Sequence, residues 1–153
     1  MGTVVGVDIR GRGSCLVRRK DLCPDSLAEQ LREAKLLVTF NGRSFDVPIL
    51  EYNFPFSLPP IPHFDLRHAF SRLGYRGGLK RIERELGMSR PQEVEYVTGE
   101  EAVYLWRLWE ERGKENALNL LIRYNLEDTR NLIPLAEHAY RVMSERLRGE
   151  QVG

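Results

Sequence analysis

The sequence predicts a single mixed α/β domain built around one sheet. Three β-type apolar runs, TVVGVDI at residues 3–9, CLVR at 15–18 and LLVTF at 36–40, lie early in the chain with a helical stretch interposed. The second half carries only helical patterns. Strands first, helices interposed and then helices alone is the order of a domain whose helices cover a sheet. At 153 residues the chain is long enough for one domain with a real core and too short for two comfortable ones.

Each element has a local reason. Gly11, Arg12 and Gly13 separate the first two runs and predict a hairpin. In DSLAEQLREAK, Ser26 and Glu29 are spaced as a capping box, and Leu27, Leu31 and Ala34 share one face, which predicts a helix. LLVTF is the next strand. Ser44 to Tyr52 suits a short helix, with Pro48 in or near the first turn, where a missing N–H does least harm. Residues 55–62 carry four of the eight prolines and read as a connector. HFDL at 63–66 is a short strand leading into a helix through Phe70 and Leu73.

Leu79, Ile82 and Leu86 mark the next helix, stopped by Gly87. Thr98 with Glu101 opens another, with Ala102, Trp106 and Trp109 inward as core and Gly113 at its end. A further helix from about Glu115 puts Ala117, Leu121, Tyr124 and Asp128 on one face. Pro134 is expected to kink or break the helical run ahead of a basic tail helix. There is no internal repeat and no low-complexity segment.

Composition narrows the class. Apolar residues are 42% and charged residues 29%, ordinary for a globular protein. Apolar runs of only a few residues predict no transmembrane span and no signal peptide. Cys15 and Cys23 form no CxxC pair, so a cytoplasmic protein with free thiols is expected. A net charge of +1 does not announce nucleic acid. It does not exclude it either, because a local groove or a bound metal can hold a phosphate.

Two places carry chemistry. Asp46 lies just beyond the carboxyl end of LLVTF, on the turn into a helix, where ligands bind in open α/β sheets. Taken alone it reads as a helix cap. Tyr124 and Asp128 are four apart on an inward helix face, and an inward carboxylate has to be paired, hydrogen-bonded or metal-bound. Alone, that pair also fits an amphipathic edge at the solvent boundary.

Together, Asn41, Phe45 and Asp46 (N-x-x-x-F-D after a strand) and Tyr124 and Asp128 (Y-x-x-x-D on a late helix) resemble motifs two and three of the DEDD family. Its members are proofreading-type 3′–5′ exonucleases with a ribonuclease H-like fold, and the tyrosine marks the DEDDy branch. PHFDLRHAF and GGLKRIERELGM are similar to the connecting elements of the bacterial and archaeal subgroup, so the resemblance covers roughly residues 3 to 143. It implies a ribonuclease H-like mixed sheet flanked by helices and hydrolysis of phosphodiester bonds at a nucleic-acid 3′ end. It also implies two Mg²⁺ or Mn²⁺ ions, with Asp46 and Asp128 as ligands and Tyr124 orienting the attacking water. Hard cations of this kind take oxygen ligands. Asn41 and Gly42 would let the backbone turn closely beside the terminal nucleotide, and Lys80, behind Gly77 and Gly78, would touch phosphate or stand exposed.

The family's first motif, D-x-E on its first strand, has no match. Asp8-Ile9-Arg10 is nearest, with arginine where the glutamate belongs. The crossover rule makes strand 15–18 parallel to LLVTF and strand 3–9 antiparallel, which puts Asp8 at the far end of the sheet, as a turn residue. The single domain of residues 1–153 is therefore expected to lack the first central strand, and as a sequence to be N-terminally incomplete. The edges flanking that slot would then favour a homodimer or association. The rival reading is a non-catalytic nucleic-acid-binding or protein-interaction module of the same fold. Asp65 reads as a helix cap or an acid at a neighbouring strand end. Arg18, Arg19 and Lys20 read as a solvated strand end, and His63, His68 and His138 have no ligand spacing.

Overall fold

In the computed structural model, residues 3–9, 12–18, 24–53 and 58–150 are described. In chain order they form β1 (Thr3–Ile9), β2 (Arg12–Arg18), α1 (Pro24–Arg32), β3 (Leu37–Thr39), α2 (Asp46–Asn53), β4 (His63–Asp65), α3 (Leu66–Arg72) and α4 (Leu79–Glu85). Then come α5 (Gln92–Glu95), α6 (Gly99–Arg112), α7 (Glu115–Arg130) and α8 (Leu132–Glu150). They fall into two compact units, Met1–Leu22 with Gly87–Arg130, and Cys23–Leu86 with Asn131–Gly153. The described strands make two two-stranded ladders, one in each unit, where the sequence predicts one mixed sheet. Among the described residues no helix is long and apolar enough to cross a membrane.

In the first unit, β1 and β2 pair antiparallel from Thr3 opposite Arg18 to Ile9 opposite Arg12. The residues between Ile9 and Arg12, where the connection was expected, lie outside the described residues. Arg12 and Gly13 belong to the ladder, and Asp8 lies inside β1 opposite Gly13, so it is a strand residue and not a turn residue.

Helix α7 packs on both strands of the hairpin. Gly6 lets it approach: a Cβ there would collide with Asn125 Oδ1 of α7. Helix α6 packs on α7 and is built as its sequence predicts. Thr98 Oγ1 accepts from Glu101 N at 3.2 Å and the Glu101 carboxylate accepts from Thr98 N at 2.7 Å, a reciprocal cap. Gly113 ends the helix in the left-handed region at φ 60°, where a Cβ is penalised. Trp109, Val94, Val97, Ala117 and Leu121 are buried. Trp106 is only half-buried: its ring meets that of Trp109 edge-on at 4.9 Å while Nε1–H donates to Glu110 at 3.2 Å. An indole with a polar tip settles at such a boundary.

In the second unit, β3 and β4 pair in parallel, Leu37 opposite His63 and Thr39 opposite Asp65. The ladder is extended by Leu37 N donating to Pro62 O at 2.9 Å, so the proline-rich connector delivers β4 alongside β3. Helix α3 packs on both strands, and α8 packs on α3 and β3. Leu27, Leu66, Phe70, Ile82, Leu135 and Ala139 form the core. The Phe70 ring meets Tyr75 edge-on at 5.3 Å and lies parallel to His138 at 6.2 Å.

Two local expectations shift. Helix α1 begins at Pro24, so Ser26 lies inside it and is not the cap. Proline is favoured at a first helical position because its missing N–H has no partner to lose there. The break between α7 and α8 falls at Asn131, and Pro134 sits in the first turn of an unbroken α8, for the same reason.

Asn131 is itself structural. Its Nδ2 donates to Glu83 Oε1 at 3.1 Å, and Glu83 is only 2% exposed. A carboxylate that deep needs donors, because an unmet buried charge is costly. Asn131→Ala should therefore lower stability by about 1–3 kcal/mol in chemical denaturation. Asn131→Asp should cost more, since it sets a second acid against Glu83. An unchanged midpoint for both would show that other contacts of Glu83 suffice.

Candidate functional site

The turn after β3 is held by one carboxylate. Asp65, at the carboxyl end of β4 and 6% exposed, accepts three main-chain hydrogen bonds. Oδ1 takes Asn41 N at 2.8 Å and Arg67 N at 3.2 Å, and Oδ2 takes Arg43 N at 3.1 Å. The bond from Arg67 caps α3. The other two fix the turn, in which Asn41 adopts φ 64°. Asparagine is among the few side chains that tolerate this region. Both readings of Asp65 thus hold at once: it is the helix cap, and it sits at the neighbouring strand end beside the turn.

Gly42 completes the turn because nothing larger fits. It is buried, its N–H donates to Thr39 Oγ1 at 3.1 Å, and a Cβ would overlap the Thr39 side chain. Thr39 Oγ1 also bonds His63 Nε2 at 2.8 Å across the ladder. Burial holds the His63 pKa below its ordinary value near 6.5; nearby Asp65 opposes this by raising it, and Arg43 adds to the lowering. The chain then winds through Phe45 N to Asn41 O at 3.2 Å and Val47 N to Gly42 O at 2.8 Å. Asp46 opens α2 and is exposed, as is Phe45. Ser44 precedes the helix and is not part of it.

Beside this turn lies a cleft of about 570 Å³. Phe40 and Asn41 form one wall, Arg67, Ser71 and Tyr75 another, and Gly77, Gly78 and Leu79 the entry to α4. A Cβ at Gly78 would meet nothing within 4 Å, so this lip is open. Lys80 is half-buried at the second position of α4, next to the lining residues and not one of them. Arg67, Ser71 and Tyr75 were not signalled by the sequence, since only the fold sets α3 and the residues after it beside Asn41.

In the other unit, Tyr124 and Asp128 lie one turn apart on α7, both half-buried. Arg90, from the loop before α5, meets them. Its Nη1 lies 2.6 Å from Asp128 Oδ1, and its guanidinium carbon is 5.9 Å from the Tyr124 ring centre. No periodicity marks Arg90. It precedes Pro91 in an irregular loop and was missed.

Asp46 and the Tyr124–Asp128 pair belong to different units. Among the described residues no three His, Cys, Asp or Glu side chains converge as a metal site would require. Asp128 already faces a guanidinium. Paired in this way, Asp128 as it stands does not fit a divalent metal.

A sequence profile of the RNase H superfamily matches residues 17–140, the greater part of the chain. The chain belongs to the RNase H superfamily. The span shared with the superfamily runs from the end of β2 into α8, so it contains Asn41, Asp46, Tyr124 and Asp128. No curated protein and no solved structure gives a significant match. For an RNase H superfamily chain, nuclease-like hydrolysis and nucleic-acid binding are the functions that membership suggests. Superfamily chemistry generally uses divalent metals.

Two measurements test the turn. Asp65→Ala should destabilise the fold by about 2–4 kcal/mol, because three main-chain donors lose a charged acceptor. His63 favours its neutral form in the folded state, so the unfolded chain binds more protons as pH drops below about 6.5. Stability should therefore fall from that pH down to the lowered folded value, and His63→Gln should flatten that part of the profile. A profile unchanged by the substitution would show that His63 is not the group responsible.

Proposed function

We propose that this chain is a 3′–5′ exonuclease-like domain of the DEDDy type that engages the 3′ end of a nucleic-acid strand. Asp46, Tyr124 and Asp128 are its catalytic-motif residues, and Mg²⁺ or Mn²⁺ is the cofactor this reading carries. The observation that supports it most is the Asp65-held turn at Asn41 and Gly42, which opens onto the adjoining cleft. The cleft lies within the usual range of ligand pockets, about 300–1,000 Å³. Phe40 and Tyr75 offer aromatic faces for a base, and Arg67 a charge for a phosphate. The turn holds the backbone near the ligand, and exposed Asp46 follows it directly.

Hydrolysis by this chain is expected to be slight. Only two of the family's four acids have counterparts, and two carboxylates neutralise and position a metal pair poorly. A second reading, a non-catalytic nucleic-acid-binding module of the same fold, is favoured by the ion pair that engages Asp128.

The two readings share binding and part on cleavage. Single-stranded oligonucleotides should bind in a salt-dependent way, and Arg67→Gln should weaken them a few-fold and lower the salt slope by about one. With Mg²⁺ or Mn²⁺, 3′ trimming should be slow and should vanish in Asp46→Asn and Asp128→Asn. Trimming that survives both substitutions would reassign the site. Failure to bind any oligonucleotide would overturn both readings.

A further inference from the structure

We propose that Arg90 stands in the place of a cation at Asp128, so that a divalent ion approaching this carboxylate has to compete with the guanidinium. The inference rests on the reading of Asp128 as a metal ligand.

The contact is an ion pair, 2.6 Å from Nη1 to Oδ1. Exposure is asymmetric: the Arg90 side chain is 4% exposed and that of Asp128 30%. The cation is the buried member, and the carboxylate keeps a side toward water. A guanidinium so buried needs a matched anion, and cannot escape by losing its proton. A divalent ion at Asp128 would set a like charge beside the buried Arg90, an arrangement that disfavours both. Tyr124 strengthens the hold. Its ring lies 5.9 Å from the guanidinium carbon, within cation–π reach, so one arginine contacts both residues of the motif. Arg90 also arrives on a short loop between Gly87, at φ 72°, and α5, a segment outside any regular element.

The test is Mn²⁺ binding by the full chain, read from the electron paramagnetic resonance signal of the free ion and from thermal melting with and without the ion. Arg90→Gln and Arg90→Met should bind Mn²⁺ roughly tenfold tighter than the native chain. The methionine keeps an apolar stem in the buried site, so folding of at least one variant is favoured, and circular dichroism checks each. Adding Asp128→Asn should abolish the gain. Equal or weaker binding in folded variants overturns the proposal. If that equal binding is lost in Asp128→Asn, Asp128 remains a ligand and only the role of Arg90 falls. If neither the native chain nor the variants bind Mn²⁺, the reading of Asp128 as a ligand falls with it.

Discussion

A single carboxylate, that of Asp65, gathers three main-chain N–H groups from two different segments, and the turn after β3 depends on it. A turn with a left-handed residue has few internal hydrogen bonds with which to hold itself. Here the donors at Asn41 and Arg43 point at an acceptor supplied from the next strand. The arrangement requires β4 to lie parallel to β3 with Asp65 opposite Thr39, so the shortness of the ladder matters less than its register. A slip of one residue would turn Asp65 to the opposite face and leave those donors unmet.

The same unit shows why its small residues stand where they do. Gly42 brings the main chain against Thr39, whose hydroxyl accepts from Gly42 and also meets His63. That hydroxyl links the ladder to the turn. Asp46 emerges as a consequence, exposed at the head of α2, a helix with no buried residue of its own. A helix so lightly packed takes its position from the turn that precedes it.

Three half-buried or buried acids are met in three different ways. Asp65 is met by main-chain amides, Glu83 by the Asn131 amide among its contacts, and Asp128 by the Arg90 guanidinium. Amide donors leave a carboxylate's charge in place and suit a structural role. A guanidinium instead sets a charge of opposite sign against the carboxylate.

Much of the fold was legible from local spacing, because the interactions concerned span only a few residues. The Thr98–Glu101 cap, the stop at Gly113, the burial of Trp109, Ala117 and Leu121, and the short strand ahead of Phe70 all follow from neighbours in sequence. Motif spacing likewise singled out Asn41, Asp46, Tyr124 and Asp128, which lie within the span shared with the RNase H superfamily. The hairpin's existence was legible and the extent of its ladder was not, since Arg12 and Gly13 read as turn residues and pair with Ile9 and Asp8. Only the tertiary structure decided that Arg90 meets Asp128, that Asn131 meets Glu83, and that Arg67 and Tyr75 flank the cleft beside Asn41. These groups are distant in sequence and carry no periodic signal. What brings them together is the packing of α7 on its hairpin and of α3 on its two short strands, because buried charge must find a partner wherever that packing puts one.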